Sequence, residues 1–203
     1  MPKAVVLVTN NSHKVREIAM MLGDDFPFPV VPYQHILGDT VTIVEDGHTF
    51  EENAIIKVRA LPVNPEYVYL AEDSGIEVAA LQGAPGIYSA RYAGENASGE
   101  AMCHKLLRDC YGVGNRDAQY CAVMALRLPE TDTIHTFTGI TTGSLAHQMV
   151  GEGGFGYDPI FIPEGEDRTF AEMAPYEKIA QSHRYKALQQ VKQALIEVYM
   201  GAQ

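Results

Sequence analysis

Four stretches of this chain gather residue types that could do chemistry. Thr9-Asn10-Asn11-Ser12-His13-Lys14 lies between an apolar run and a helical pattern. A helix N-terminus exposes unpaired N–H groups and a partial positive charge, so it accepts phosphate. Lys14 would add a full charge there. The same residues also fit a helix capped by Asn11 or Ser12 with a solvated lysine. The second stretch is Glu72-Asp73-Ser74-Gly75, read as the solvent-facing end of a strand. Adjacent carboxylates there suit Mg²⁺, which takes one or two carboxylates plus substrate phosphate oxygens. One of them could instead take a proton from an attacking water, and an acidic turn is the structural alternative. Glu45 and Asp46 are further carboxylates, for a metal or for a solvated loop.

The third stretch is Gly153-Gly154-Phe155-Gly156-Tyr157-Asp158-Pro159. Its glycines permit close backbone approach to a ligand. Phe155 and Tyr157 offer flat faces on which a base could stack, or else they fill a core. The fourth is Glu177-Lys178 followed by Ser182-His183-Arg184, where donors and cations concentrate in an acidic chain. Ser182 also stands where a helix N-cap belongs.

These groups need a scaffold to bring them together. Val5 to Val8 is a continuous apolar run, as in a buried strand of a mostly parallel sheet. Val15, Ile18, Ala19 and Leu22 then repeat at helical spacing and stop at Gly23. Val30 and Val31 suggest a second strand. Thr49-Phe50-Glu51-Glu52 reads as a capping box opening a helix that ends at Pro62. Tyr67 to Ala71 reads as a strand, Gly83 to Gly86 as a turn, and Ala101 to Cys110 as a helix. Tyr120 to Leu128 and Ile134 to Leu145 read as longer strands, paired as a hairpin through Thr131-Asp132. A last helix from Ser182 carries Leu188, Val191, Leu195 and Val198 on one face. Early alternation of strand and helix, with longer strands later, predicts an α/β protein with a mixed sheet.

Composition narrows the possibilities. A length of 203 residues supports one substantial core. The 46% of apolar residues contain no run near the roughly 20 needed to span a bilayer. The N-terminal apolar segment is too short for a secretory signal, so a cytoplasmic protein is expected. The cysteines, Cys103, Cys110 and Cys121, are odd in number and lack CxxC spacing, so they read as small buried residues. A net charge of −11 disfavours a nucleic-acid partner, and no membrane partner is expected.

In order and spacing, these motifs resemble the Ham1/ITPase family of inosine and xanthosine triphosphate pyrophosphatases, most closely its bacterial branch. The resemblance rests on Thr9-x-Asn11-x-x-Lys14, Thr49-Phe50-x-Glu52-Asn53-Ala54, Asp73-Ser74-Gly75, Gly83 to Tyr92, Gly153 to Pro159 and Ser182-His183-Arg184. It covers about Val5 to Leu188 and implies a single domain over residues 1–203. That domain would be an elongated two-lobed α/β fold around a central mixed sheet, with a nucleotide cleft between the lobes. A homodimer is implied, as is Mg²⁺-dependent hydrolysis of nonstandard purine triphosphates (ITP, dITP, XTP) to monophosphate and pyrophosphate.

Carried over by motif, Thr9, Asn10, Asn11, Ser12, His13 and Lys14 would hold the triphosphate. Asp73 would be the metal-bound general base, Glu45 the second metal carboxylate, and Ser74 a substrate contact. Phe155, Gly156, Tyr157, Asp158, Lys178, His183 and Arg184 would form the pocket for base and sugar. Asn10 stands where many members carry glycine, His13 where glycine or lysine is common, and Ile179 where a small or polar residue is usual. Two other readings compete. One is a Maf-like pyrophosphatase acting on pyrimidine or modified nucleotides. The other is a nucleotide sensor without turnover.

Overall fold

The computed structural model describes residues 1–201, apart from the side chain of His13. It is an α/β fold with a six-stranded mixed sheet in the order β2-β1-β3-β4-β5-β6. The chain forms two compact units. The first comprises Met1–Asp73, Ala122–Gly139 and Arg184–Gln203, and the second Ser74–Cys121 and Ile140–His183. The divisions thus fall between Asp73 and Ser74, Cys121 and Ala122, Gly139 and Ile140, and His183 and Arg184.

In the first unit, strand β1 (Ala4–Leu7) is buried throughout and pairs in parallel with β2 (Val30–Pro32) and β3 (Tyr67–Val78). A central parallel strand is covered on both faces, which is why its sequence is apolar without alternation. Helix α1 (Ser12–Leu22) starts beyond the carboxyl end of β1 and ends at Gly23, whose φ of 79° needs a glycine. Asn11 caps it, its Oδ1 accepting from the Lys14 N–H at 3.3 Å. A short helix α2 (Gln34–Leu37) follows β2.

Helix α3 (Phe50–Arg59) is capped by Thr49, whose Oγ1 accepts from the Glu52 N–H at 3.1 Å. The return half of the expected capping box is displaced by one residue. Glu52 Oε2 accepts from the N–H of His48 at 2.6 Å, not from that of Thr49. Glu51 and Glu52 in the first turn and Lys57 and Arg59 in the last complement the helix dipole.

The largest departure from the sequence reading lies in β3. The strand does not end at Ala71 but runs on through Glu72-Asp73-Ser74-Gly75 to Val78. Residues that resemble a turn are therefore held as extended backbone, and side chains alternate between the two faces. Strand β4 (Asp117–Leu128) and strand β5 (Thr133–Leu145) are neighbours joined by a short connection. Such a link fits only an antiparallel pair. Asp132 in that connection has φ 53°, as the expected hairpin requires.

Arg127 near the end of β4 is buried and closes the open end of α3. Its Nη1 donates to the carbonyls of Val58 and Leu61, both at 3.1 Å, and its Nε to Asp132 at 2.6 Å. Arg127→Met should strand those carbonyls and cost about 1–3 kcal/mol. Urea melts would read this as a lower midpoint, and an unchanged midpoint would refute the role.

The second unit has its own core, built from Ile76, Val78, Cys103, Leu106, Tyr120, Ile160, Phe161 and Phe170 among others. Helix α4 (Gly99–Asp109), capped by Ser98, contributes Cys103 and Leu106. Cys103, Cys110 and Cys121 are buried thiols, as expected. Strand β6 (Phe161–Pro163) pairs antiparallel with β5. Helix α5 (Pro175–Gln181) went unread in the sequence because it is only 7 residues long. Pro175 opens it, and Glu177 Oε2 accepts from the Ala174 N–H at 2.8 Å. Helix α6 (His183–Met200), which from Arg184 onward belongs to the first unit, buries Leu188, Val191 and Leu195, but Val198 is 53% exposed.

Candidate active site

Glu72 and Asp73 are neighbours in sequence yet serve opposite faces of β3. Glu72 is gripped by Arg184, Nε to Oε2 at 2.7 Å and Nη2 to Oε1 at 2.8 Å. This two-pronged geometry is the strong form of the ion pair. Arg184 Nη1 reaches Glu17 at 2.5 Å, and Lys14 Nζ lies 3.5 Å from Glu72. Burial works against the charge on Arg184, but the carboxylates of Glu72 and Glu17 outweigh it and hold the guanidinium protonated. Lys14 differs. Burial lowers its pKa, Arg184 and Lys57 push the same way, and Glu72 and Asp73 only partly offset them. An arriving anion would satisfy a cation held in this state.

Asp73 faces α3. Its Oδ1 accepts from Lys57 Nζ at 2.8 Å and its Oδ2 from Asn53 Nδ2 at 3.2 Å. Lys57 also meets Glu45 Oε2 at 2.7 Å and the carbonyl of Glu72 at 3.1 Å. For Lys57, burial opposes charge, yet Asp73 and Glu45 together raise its pKa. Asn53 is buried, and its Oδ1 accepts from the Gly47 N–H at 2.9 Å. A Cβ at Gly47 would meet Asn53 Oδ1 at 2.7 Å, so this close approach needs glycine. One amide thus links the loop bearing Glu45 to the carboxylate of Asp73.

The pair Glu72-Asp73 is therefore not one two-carboxylate ligand, as its adjacency suggested. The carboxylates that converge are Glu45 and Asp73, which share the ammonium of Lys57. Two carboxylates that meet on one cation fit the donor set of Mg²⁺, which completes its shell with water and substrate oxygens. Lys57 was missed from sequence and Asn53, quoted within a motif, was given no role, although the two lie four apart and hence on one face of α3.

Beside this cluster, the Thr9–Lys14 segment is braced from within and by Tyr33 and Gln34. Thr9 Oγ1 accepts from the Asn11 N–H at 3.1 Å. Asn10 Oδ1 accepts from Tyr33 Oη at 2.5 Å and from Gln34 Nε2 at 3.0 Å. Ser12 begins α1. The side chain of His13 lies outside the described residues.

The remaining predicted residues belong to the second unit. Phe155 is 53% exposed, with Lys178 Nζ 4.5 Å from its ring centre. Asp158 is buried, and its Oδ2 accepts from Lys178 Nζ at 2.6 Å and from the Phe155 N–H at 2.7 Å. This pairing fixes both the loop and the cation. The carbonyl of Gly156 accepts from Cys103 Sγ at 3.2 Å. Burial pushes the Cys103 thiol up to about 12, so it stays protonated and can donate. Tyr157 corrects the sequence reading. Its ring is buried in the core and its hydroxyl donates to the carbonyl of Ser89 at 2.7 Å, so of the two aromatics Phe155 is the exposed one.

Ser74, expected to contact substrate, is a half-buried residue of β3. His183 is buried and stacked on Tyr120, ring centres 4.7 Å apart and 5° from parallel. Tyr120, unnoticed within an apolar strand pattern, also lies 3.5 Å from Asp158 Oδ1. Arg184, expected at the base, is instead occupied by Glu72 and Glu17 within the first unit.

The chain is similar to known proteins over nearly its whole length. The chain is 39% identical to a dITP/XTP pyrophosphatase of Staphylococcus aureus over 98% of this chain and 97% of that protein. It is 43% identical to a dITP/XTP pyrophosphatase of Leuconostoc mesenteroides over 94% of this chain and 96% of the relative. A solved HAM1 protein from Coxiella burnetii superposes with a TM-score of 0.86 at 38% identity, covering 97% of this chain and all of that one. The Ham1 protein of S. aureus gives a TM-score of 0.83 over 95% and 98% of the two chains. With the Ham1 family matched across residues 5–194, the chain belongs to the Ham1 family.

Proposed function

We propose that this protein hydrolyses nonstandard purine nucleoside triphosphates, ITP, dITP and XTP, to monophosphate and pyrophosphate. The observation that carries the proposal is the convergence of Glu45 and Asp73 on Lys57, beside the braced Thr9–Lys14 segment, in a chain whose relatives are dITP/XTP pyrophosphatases. Glu45 and Asp73 would hold Mg²⁺, which supplies charge neutralisation and polarises phosphate oxygens. Lys14, Lys57 and the N–H groups of the Thr9–Lys14 segment receive the triphosphate and offset its charge. Asp73 takes a proton from the water that attacks the α-phosphorus, with Asn53 and Lys57 fixing its orientation. Pyrophosphate leaves, and no covalent intermediate is required.

In the second unit, the exposed face of Phe155, with Lys178 beside it, suits stacking of a purine. Inosine and xanthosine present an acceptor oxygen at the 6-position, whereas adenine presents a donor. A buried donor such as His183 would then face a donor in ATP, and a mismatch of this kind discriminates strongly. Phe155→Ala should raise KM for ITP about tenfold with a smaller change in kcat. An unchanged KM would remove Phe155 from base binding. We further propose a cytoplasmic homodimer, to be checked by fractionation and light scattering.

The reaction is tested by a panel of ITP, XTP, dITP, GTP, ATP and UTP, with Mg²⁺ and after chelation, measuring pyrophosphate and orthophosphate separately. Pyrophosphate and monophosphate from ITP and XTP, lost on chelation, is the expected result. Preference for UTP would favour the Maf-like reading, binding without turnover the sensor, and orthophosphate as first product a different bond.

A further inference from the structure

The amide of Asn10 is oriented from outside its own loop. Tyr33 is fully buried, and its Oη accepts from the Val41 N–H at 2.9 Å. That direction cannot reverse, because a backbone N–H only donates. The phenolic proton is left for another acceptor, and Asn10 Oδ1 at 2.5 Å is closer than the Val41 carbonyl at 3.3 Å. Gln34 reaches the same atom. Its Nε2 lies 3.4 Å from the Thr9 carbonyl, which only accepts, so the amide end facing it is the nitrogen. This nitrogen is also 3.0 Å from Asn10 Oδ1.

Two backbone groups, the Val41 N–H and the Thr9 carbonyl, therefore set the direction of every bond in the network. Both side-chain donors fall on Asn10 Oδ1, and the Asn10 amide nitrogen is turned away from Tyr33 and Gln34, on an exposed residue. Gln34 holds this position at a cost: its Oε1 is buried without a partner among the described residues. A glutamine kept only for stability would not strand an acceptor.

We infer that Tyr33 and Gln34 are positioning residues that lock the Asn10 amide with its N–H groups toward the substrate phosphates. The inference rests on the reading of Thr9 to Lys14 as the triphosphate site. Asn10 then supplies from a side chain neutral donors that add to the charge of Lys14 and the backbone N–H groups of the loop.

The test is pyrophosphate binding by calorimetry, with inosine as the uncharged control ligand. Asn10→Asp keeps the acceptor that Tyr33 and Gln34 hold and puts an anionic oxygen where the N–H groups were. It should weaken pyrophosphate binding about tenfold or more, with inosine binding unchanged. Asn10→Ala and Tyr33→Phe should each weaken it about threefold. The double variant should be no worse than Asn10→Ala, because both changes remove one unit. Gln34→Ala provides the same comparison should Tyr33→Phe fail to fold. Equal pyrophosphate affinity for Asn10→Asp and the unchanged protein overturns the inference while leaving the triphosphate site intact. So does full additivity of Tyr33→Phe and Asn10→Ala, or a parallel loss for inosine. Absence of pyrophosphate binding in the unchanged protein overturns both the inference and the reading on which it rests.

Discussion

Asp73→Asn is expected to lower kcat for ITP by at least about 100-fold, the usual scale for loss of a general base. The substitution keeps the shape and removes both the negative charge and the proton acceptor. It also removes one of the two carboxylate partners of Lys57, leaving that buried ammonium to Glu45 and the Glu72 carbonyl. A weakened metal site would add to the kinetic loss. Asp73 is not the solvent-facing strand-end carboxylate of the sequence reading but a buried residue in mid-strand, so stability should fall too. Leaving a buried charge short of its partner costs about 1–3 kcal/mol. Steady-state kinetics at saturating Mg²⁺, alongside a thermal melt, measure the two effects separately. Turnover within a few-fold of the unchanged protein would reject Asp73 as the base. Glu45 would then be the next candidate, since Glu72 serves the opposite face of the strand.

The second large effect is expected in stability. Arg184→Met should destabilise the protein by about 3–5 kcal/mol, the usual result of removing one member of a buried ion pair. Glu72 and Arg184 are 5% and 3% exposed, and Glu72 would lose both prongs of its guanidinium partner, which the Lys14 ammonium at 3.5 Å does not replace. For a chain of this size the loss corresponds to a fall of roughly 10 °C in Tm. Removing both charges, as Arg184→Met with Glu72→Leu, should recover much of it, because no buried carboxylate is left stranded. Glu17 and Lys14, released by the double change, are partly exposed and open to hydration. A urea double-mutant cycle isolates the coupling. Additive losses would mean that the bidentate pair contributes nothing specific. A normal melt for Arg184→Met, with altered preference between ITP and ATP, would instead return Arg184 to base recognition.

Much of the scaffold was legible locally. Apolar runs, helical spacing, the Thr49 cap and the Thr131-Asp132 turn are short-range signals, and β1, α1, α3, α4 and the β4–β5 hairpin follow from them. The bracing of the Thr9–Lys14 segment is local in the same sense, since the bonds of Thr9 and Asn11 span two or three residues. Asp73 and Glu45 were identifiable as carboxylates with a metal role in prospect, although not by what fixes them.

The tertiary structure decided what each polar group faces. Glu72-Asp73-Ser74-Gly75 has turn composition, yet pairing within the sheet keeps it extended, and alternation sends the two carboxylates to opposite faces. Lys57 and Asn53 occupied an ordinary amphipathic helix pattern until α3 docked beside β3. Phe155 and Tyr157 were equivalent in sequence, and only packing buried one and exposed the other. Arg184 and Glu72 are 112 residues apart, so no local pattern announces their pairing. Backbone preference is set by neighbours in the chain, whereas the partner of a buried charge is set by which elements the fold brings against it.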